Sequence, residues 1–494
     1  MVAGTGTESP LRFSAAEALM LPPLHELPAV AAVGQPRTGH RSETRYDTED
    51  SALRRHGLAV SRISDEDGTH WVRTALPGES EADARTAAAG DPAEVPPELV
   101  DGFQAVLRGR PLEPVETAEA RVTTYPLLDS GGGAAGWVAD ETVEVHDAGA
   151  APGAVPRIRR NWIAAAPDTV LADQLEALLR QAGADPAEAE PAEGKEPAVG
   201  PEEALDADSP VGDLLQRYLR EQFAELLRHE PRVRRGEPDG VHKMRVATRR
   251  LRSALASYRT AVEREPARSL RGELRWLARV LGEARDAQVM RHRLRDLVEA
   301  EPVDLVMGPV AARIDEELLH DYRQAYGHIR EALGSGRYFS ALDRLETLVA
   351  EPVWTTTAAD PAGPAAARMI RRDRKRLHRR VREARDLDGD EYAEAMHEAR
   401  KDAKRLRYAA EVWEPVAPKE AGATVEAAEH MQKILGEYQD SVVTRAYLRR
   451  MGAAASAAGE NGFTYGRLHA LEQANAEEAR ERFAHAWKGF PSSP

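Results

Sequence analysis

Four side chains in one stretch of this sequence have the types and the spacing to hold phosphate. They are His242, Arg245, Arg249 and Arg252. At about 100° per residue they share one face of a helix, within an arc of roughly 80°, and apolar residues occupy the opposite face. Arginine donates two parallel hydrogen bonds to phosphate oxygens, and histidine adds a donor whose charge changes near neutral pH. The spacing therefore predicts a helix with an anion-binding face.

The same pattern returns 155 residues later, where His397, Arg400, Lys404 and Arg407 take the corresponding positions. Like charges at these spacings cost a few tenths of a kcal/mol for each contact on an isolated helix. No glutamate stands between the cations of either face, so an external polyanion is the expected counter-charge. For one such helix taken alone, a solvated charged face is the commoner explanation. The repetition reverses that preference and indicates an internal duplication.

A second short pattern keeps step with the first. Leu281-Gly282-Glu283 followed by Asp286 returns as Leu435-Gly436-Glu437 followed by Asp440, at an offset of 154 residues. Each aspartate comes shortly after a Leu-Gly step on a long helical segment. We expect both to anchor an arginine between helices rather than to act as catalytic acids. Trp276 and Trp413 are predicted to be core residues.

Charge and composition divide the chain of 494 residues into unlike halves. Residues 1–210 contain 17 Lys and Arg against 37 Asp and Glu, whereas residues 211–494 contain 50 against 45, so the net charge of -15 belongs mainly to the first half. The chain has no cysteine, which excludes disulfides, thiolate metal sites and a cysteine nucleophile. The start lacks the features of a secretory signal and no apolar run is long enough to span a bilayer. A cytoplasmic location is expected, with no membrane partner.

The elements that must position these residues follow from periodicity. Before residue 185, short runs such as 58–62 and 142–145 are broken by Gly, Pro and Asp and predict strands. After residue 210, segments such as 274–294 and 422–448 have helical periodicity. We predict a largely β domain at 1–184, a disordered acidic linker at 185–210, and an all-α domain at 211–492. The two repeats are expected at about 211–352 and 364–492, each a helical bundle.

At the two basic repeats and the two Leu-Gly-Glu segments, the chain resembles the CHAD family, the conserved-histidine α-helical domain. The resemblance covers roughly residues 205 to 490. The resemblance implies a pair of duplicated helical bundles that bind inorganic polyphosphate through basic helix faces, without catalysis and without a cofactor. A further basic run at 368–382 extends the predicted surface. The polyphosphate contacts expected from the resemblance and the helical spacing are His242, Arg245, Arg249, Arg250, Arg252, Arg372, Lys375, Arg379, His397, Arg400, Lys401, Lys404, Arg405 and Arg407.

The first domain resembles a diverged CYTH domain, which implies an α+β fold with an antiparallel β-barrel or tunnel. The resemblance rests on residues 45–50, 53–58 and 71–77. Active members begin with an ExExK segment that helps bind divalent metal and phosphate. Here the best counterpart is Glu8-Ser9-Pro10-Leu11-Arg12, which lacks the second glutamate. Asp140 and Glu141 are the carboxylates expected inside the tunnel, so magnesium binding is expected only if this domain is active, and no resident metal is assigned.

Two alternatives accompany polyphosphate binding. One is magnesium-dependent hydrolysis of triphosphate or tripolyphosphate by the first domain. The other is nucleic-acid binding, which is disfavoured because the helical half has no recognisable reading helix and the first half is acidic. The sequence leaves the oligomeric state and the preferred polyphosphate length open. A location at polyphosphate granules would follow from the ligand.

Overall fold

The computed structural model describes residues 10–66, 68–75, 94–151, 154–187, 204–237 and 239–491, and the backbone alone of 85–87. The chain divides into two compact units, 1–202 and 203–494. We call them the sheet unit and the helical unit. The acidic segment predicted to be a linker lies largely outside the described residues, as does Glu8. Among the described residues, no helix is both long and apolar enough to cross a membrane.

The sheet unit is built on one antiparallel sheet. Its strands are β1 (Leu11–Ala15), β2 (Ala32–Val33), β3 (Arg37–Asp47), β4 (Val60–Asp65), β5 (Gly68–Arg73), β6 (Arg85–Ala87), β7 (Glu113–Leu128), β8 (Ala134–Asp147), β9 (Arg157–Ala165) and β10 (Asp185–Pro186). The order is β10-β1-β9-β8-β7-β3-β4-β5-β6, and β2 pairs with β7. The predicted strands at 58–62 and 142–145 are confirmed by β4 and β8.

The described sheet is open. Its two end strands, β10 and β6, do not pair with each other among the residues that the structure describes. The predicted closed barrel or tunnel is therefore not confirmed, and the antiparallel sheet is the part of that prediction that holds. Short helices α1 (Ala52–Arg55), α2 (Pro97–Val100) and α3 (Gln104–Leu107) lie in the connections, and α4 (Thr169–Gln181) follows β9.

Strand alternation gives the sheet one apolar and one charged face. Trp162 of β9 is fully buried in a core that includes Leu171, Leu175 and Leu179 of α4. Because successive side chains of a strand point to opposite sides, its neighbour Asn161 lies on the other face. There it lines a narrow pocket of about 80 Å³ together with arginine and glutamate side chains of β1, β3, β7 and β8.

The helical unit consists of long helices joined by short connections. They are α5 (Val211–Arg234), α6 (Gly240–Ser257), α7 (Arg264–Glu299), α8 (Val310–Leu333), α9 (Gly336–Ala350), α10 (Ala362–Ala384), α11 (Gly389–Trp413), α12 (Pro418–Ala457) and α13 (Phe463–Lys488). Consecutive helices from α5 to α8 pack on one another, and so do those from α10 to α13. The predicted helical region is thus confirmed, while its division into duplicated bundles stays a prediction.

Candidate polyanion-binding surface

The two helices that carry the repeated basic pattern, α6 and α11, lie in contact with each other. The Tyr258 hydroxyl donates to the carbonyl of Ala409 at 3.0 Å, and Arg405 donates to the carbonyl of Ala256 at 2.7 Å. Apolar residues on both helices are buried, among them Leu251, Leu255 and Leu406. The predicted core stripes thus bring the two basic faces together on one surface.

Four basic side chains from these helices form what we call the central cluster: Arg245, Arg249, Arg400 and Lys404. Each side chain is partly buried. The buried Nε atoms of the three arginines have no hydrogen-bond partner among the described residues. Burial, together with the charges of the three arginines, lowers the pKa of Lys404 to about 6. A dense group of cations without enough internal counter-charge is an electrostatic trap for an anion.

A glycine on the next helix makes room for one arginine of each pattern. A methyl group at Gly282 of α7 would lie 3.4 Å from Nη2 of Arg245, and at Gly436 of α12 it would lie 3.1 Å from Nη2 of Arg400. The repeated Leu-Gly-Glu pattern therefore allows a guanidinium to lie across the helix backbone. Asp286 pairs with Arg245 at 3.4 Å, which confirms its predicted anchoring role. Asp440 interacts electrostatically with Arg400.

The two histidines border the central cluster. Burial lowers the pKa of His242, and Arg285 and Arg249 lower it further. Burial also lowers the pKa of His397, with contributions from Lys401, Arg400 and Lys404. The buried Nδ1 of His397 has no hydrogen-bond partner among the described residues. Both rings are therefore neutral at pH 7 and become protonated more readily when an anion is close.

The basic surface continues from the central cluster along α6. Arg252 is partly buried, and this burial lowers its pKa. The nearby charges of Arg275, Arg249 and Arg271 lower the pKa further. Arg271 in turn interacts with Arg405, Arg275 and Arg259. The positive charges of α6 and α7 thus form a continuous strip, which we call the basic strip, from the central cluster to Arg259.

At its far end the strip reaches an open pocket of about 470 Å³, which we call the α10 pocket. It contains the predicted Arg372, Lys375, Arg379 and Arg405. Among the described residues, Lys375 has no ion pair. The complete lining is Arg259, Arg368, Arg371, Arg372, Asp373, Lys375, Arg376, Arg379 and Arg405.

Two predicted contacts are turned toward an internal carboxylate. Glu411 of α11 lies 2.9 Å from Nε of Arg250 and 3.1 Å from Nε of Arg407. It also accepts a hydrogen bond from the Tyr218 hydroxyl at 3.0 Å, and Arg407 contacts Glu429 at 3.4 Å. The expectation that no glutamate balances the basic faces is therefore wrong at Arg407, because Glu411 follows it by one helical turn. The same carboxylate also pairs with Arg250, a predicted contact outside these faces.

Other predicted residues also have internal partners. Arg405 pairs with the buried Asp373 at 3.1 Å, although it still lines the α10 pocket. The exposed Lys401 pairs with Glu398 at 2.6 Å. Arg379 is exposed and has only a loose contact of 3.9 Å with Glu383. The polyphosphate contacts predicted from sequence thus include some cations that pair with an internal carboxylate and others that do not.

Several cations of the strip were not predicted. Arg271 and Arg275 lie on α7 at helical spacing, and Arg285 directly precedes the anchoring Asp286. The four-residue spacing of Arg271 and Arg275 on one helix was the available signal for those two. The core prediction is correct for Trp413, which is buried. It is wrong for Trp276, which is only partly buried and has the Arg337 guanidinium 4.3 Å above its ring.

The charged pocket of the sheet unit contains carboxylates that are already paired. The buried Glu141 contacts Arg41 at 3.0 Å and accepts a hydrogen bond from Asn161 at 3.0 Å. Asp140 does not line this pocket, because it precedes Glu141 in the strand and pairs with Arg160 at 2.6 Å. Among the described residues, no group of three or more His, Asp or Glu side chains is suited to a metal ion.

Comparison with known proteins identifies the helical unit. The family model of the CHAD domain matches residues 217–449. Two proteins of Mycobacterium tuberculosis, the uncharacterized proteins MT2285 and Rv2226, are each 33% identical over 497 residues, covering 96% of this chain and 94% of the relative. The chain is a CHAD-domain protein of the same family as these relatives. The CHAD domain contains both basic patterns and both glycine positions.

Two solved structures are also similar to this CHAD protein. PptA from Streptomyces chartreusis is 24% identical with a TM-score of 0.48, covering 57% of this chain and 100% of that chain. The CHAD domain from the plant Ricinus communis has the same identity and TM-score, covering 59% of this chain and 96% of that chain.

Proposed function

We propose that the CHAD domain of this protein binds inorganic polyphosphate. The observation that carries the proposal is the central cluster, where four basic side chains of α6 and α11 converge and three buried arginine Nε atoms have no partner among the described residues. Phosphate oxygens accept several hydrogen bonds and bring the missing negative charge. The CHAD resemblance implies the same ligand. Binding is non-catalytic and needs no cofactor.

The extent of the basic strip favours a long linear polyanion over a single phosphate group. From His242 to Arg259 the strip follows α6 for about 26 Å at 1.5 Å per residue. The α10 pocket adds exposed cations at its end, including Arg371 and Lys375. A chain of repeating phosphates interacts with both regions at once, which raises affinity through multiple contacts. Counterion release then makes the affinity strongly dependent on salt.

The test is a titration of the full chain and of its Arg249→Glu, Lys404→Glu double variant with long-chain polyphosphate, by calorimetry at two salt concentrations. We expect tight, salt-sensitive binding by the parent and a loss of at least about 100-fold in the variant, because two attractive contacts become repulsive. Circular dichroism checks the fold. The matched control is Arg323→Glu with Arg330→Glu, the same charge change on exposed residues of α8.

Duplex DNA is titrated in parallel. Binding to DNA as tight as to polyphosphate would return the surface to a general polyanion role. Retained polyphosphate affinity in the folded double variant would remove the central cluster from the site. In the cell, we propose a cytoplasmic location at polyphosphate granules.

We further infer that the sheet unit has a CYTH-like fold with weak or no triphosphate hydrolysis. Its charged pocket includes Arg12, Arg41, Arg45 and Arg159, which suit an anion. However, Glu141 is held by Arg41 and is not free for magnesium. Phosphate release from tripolyphosphate with magnesium is the test. Rapid release that Glu8→Ala or Glu141→Ala abolishes would make hydrolysis the activity of this unit.

A further inference from the structure

A pocket of opposite charge lies between α7, α8 and α12 of the helical unit. Its volume is about 380 Å³, and we call it the acidic pocket. Three carboxylates line it, from Glu283, Asp286 and Asp321. The sequence pattern singled out Asp286 only as an anchor for Arg245, so polyphosphate binding does not account for this pocket.

The carboxylates of the acidic pocket are only partly neutralised. Glu283 contacts Arg279 at 3.1 Å and lies 3.7 Å from Nδ1 of His328. Asp286 lies 3.4 Å from Arg245, and its side chain is 71% exposed. Asp321 has no ion pair among the described residues. The pocket therefore has a negative charge that attracts a cation.

A buried hydroxyl is the second feature of this pocket. Tyr447 of α12 lines it and is 7% exposed, and its hydroxyl has no hydrogen-bond partner among the described residues. Leaving such a buried group unpaired is unfavourable, so a ligand that hydrogen-bonds to it gains affinity. Desolvation and the nearby Glu317 raise its pKa well above the usual range, so the phenol stays neutral. Its oxygen can accept a hydrogen bond from an ammonium group.

The shape of the lining selects the kind of cation. No group of three or more described His, Asp or Glu side chains converges on one metal position. Met290 and Leu318 line the pocket between the charged residues and pack in the same apolar cluster as Tyr447. A cation whose positive groups are joined by an apolar chain fits this arrangement of separated carboxylates and apolar side chains better than a compact ion does.

We propose that the acidic pocket binds an aliphatic polyamine. One ammonium group pairs with Asp321 and donates a hydrogen bond to the Tyr447 oxygen. A second reaches Glu283 or Asp286. The methylene chain between them contacts Met290 and Leu318. This site shares only Asp286 with the central cluster, through its pair with Arg245, and its ligand is bound without polyphosphate present.

The experiment is a calorimetric titration of the full chain with spermidine, free of polyphosphate, at fixed ionic strength. We expect one saturable site, weakened about tenfold by Asp321→Asn, because the ammonium group loses its ion pair with the carboxylate; tenfold corresponds to about 1.4 kcal/mol. The matched control is Asp304→Asn, which removes an exposed carboxylate elsewhere in the helical unit. It should bind spermidine like the parent.

A second variant tests the hydroxyl. Tyr447→Phe keeps the ring, which packs 5.0 Å from the Arg450 guanidinium, and should weaken spermidine binding about threefold with the fold intact by circular dichroism. Equal binding by the parent and Asp321→Asn would show general attraction to an acidic chain and overturn the proposal. So would displacement of spermidine by equimolar magnesium, or binding of a lysine-rich peptide at Asp321 without any binding of spermidine.

Discussion

The pKa of Lys404 is lowered far below its usual value by the helical unit, and this shift has consequences that can be measured. Burial and three neighbouring arginines lower its pKa to about 6, so most of the free protein has a neutral amine there at pH 7.5. A bound polyanion reverses the electrostatic cost of charging the amine. Polyphosphate binding must therefore raise this pKa and take up a proton.

Proton uptake is measurable by calorimetry at pH 7.5 in buffers of different ionisation enthalpy. We expect uptake of about one proton more by the parent than by Lys404→Arg, because arginine is already charged. The two histidines contribute equally in both proteins. The same proton number in both would mean that Lys404 does not meet the ligand.

The same shift predicts an effect on stability. The folded-state pKa of about 6 lies below the ordinary value of 10.5, so between these values the unfolded chain binds more protons. The contribution of Lys404 to the free energy of unfolding therefore rises with pH through this window. We expect Lys404→Met to raise Tm at pH 7 while weakening polyphosphate binding. Thermal unfolding at about pH 7 and 9.5 checks this, and the gain should shrink at the higher pH.

At the scale of elements, the end of α11 limits how many cations face outward. Glu411 holds Arg250 and Arg407 and is itself largely buried. Glu411→Gln removes one negative charge beside the basic strip, so polyphosphate affinity should increase several-fold even though the folded state loses stability. Titration and thermal unfolding measure the two effects. Glu414→Gln, on an exposed neighbour, should change neither, and weaker binding by Glu411→Gln would contradict the assignment.

The glycine positions on α7 and α12 give a second prediction. Gly436→Ala places a methyl group 3.1 Å from the Arg400 guanidinium, which must shift. We expect polyphosphate binding to weaken by about threefold to tenfold, with the helix itself favoured by about 1 kcal/mol. Gly272→Ala is the control, because nothing lies within 4 Å of its added methyl. Titration of both variants separates displacement of Arg400 from helix propensity, and equal affinities would refute the effect.

The sequence predicts those features of the site that depend on one helix. The spacing of Arg245 and Arg249 fixes a basic face on α6, the spacing of Arg400 and Lys404 fixes one on α11, and the apolar stripes opposite bring the two helices together. Capture of Arg250 by Glu411 depends on how α11 packs, which periodicity does not specify. The contribution of Arg271 arises in the same way, because it comes from a third helix. In the sheet unit, Asp140 and Glu141 are consecutive residues of β8, so their side chains lie on opposite faces of the sheet.

For the whole molecule, we expect the separation of charge along the chain to affect the association rate constant for a polyanion. Residues 1–210 are strongly acidic and the helical unit is not. We expect removal of residues 1–202 to raise the association rate constant for polyphosphate at about 20 mM salt. The difference should vanish near 0.5 M, where screening is short-ranged. Stopped-flow fluorescence measures both rates, circular dichroism confirms that the helical unit folds alone, and a salt-independent difference would contradict this explanation.

Asp286 belongs to two sites at once, since it pairs with Arg245 of the central cluster and lines the acidic pocket. A cation held in that pocket would neutralise the carboxylate and leave Arg245 more strongly positive. Polyphosphate would then bind more tightly, and by reciprocity the cation would bind more tightly when polyphosphate is present. The protein would therefore respond most strongly when a polycation and a polyanion are present together. The two would act as co-ligands of the protein, although in free solution each neutralises the charge of the other.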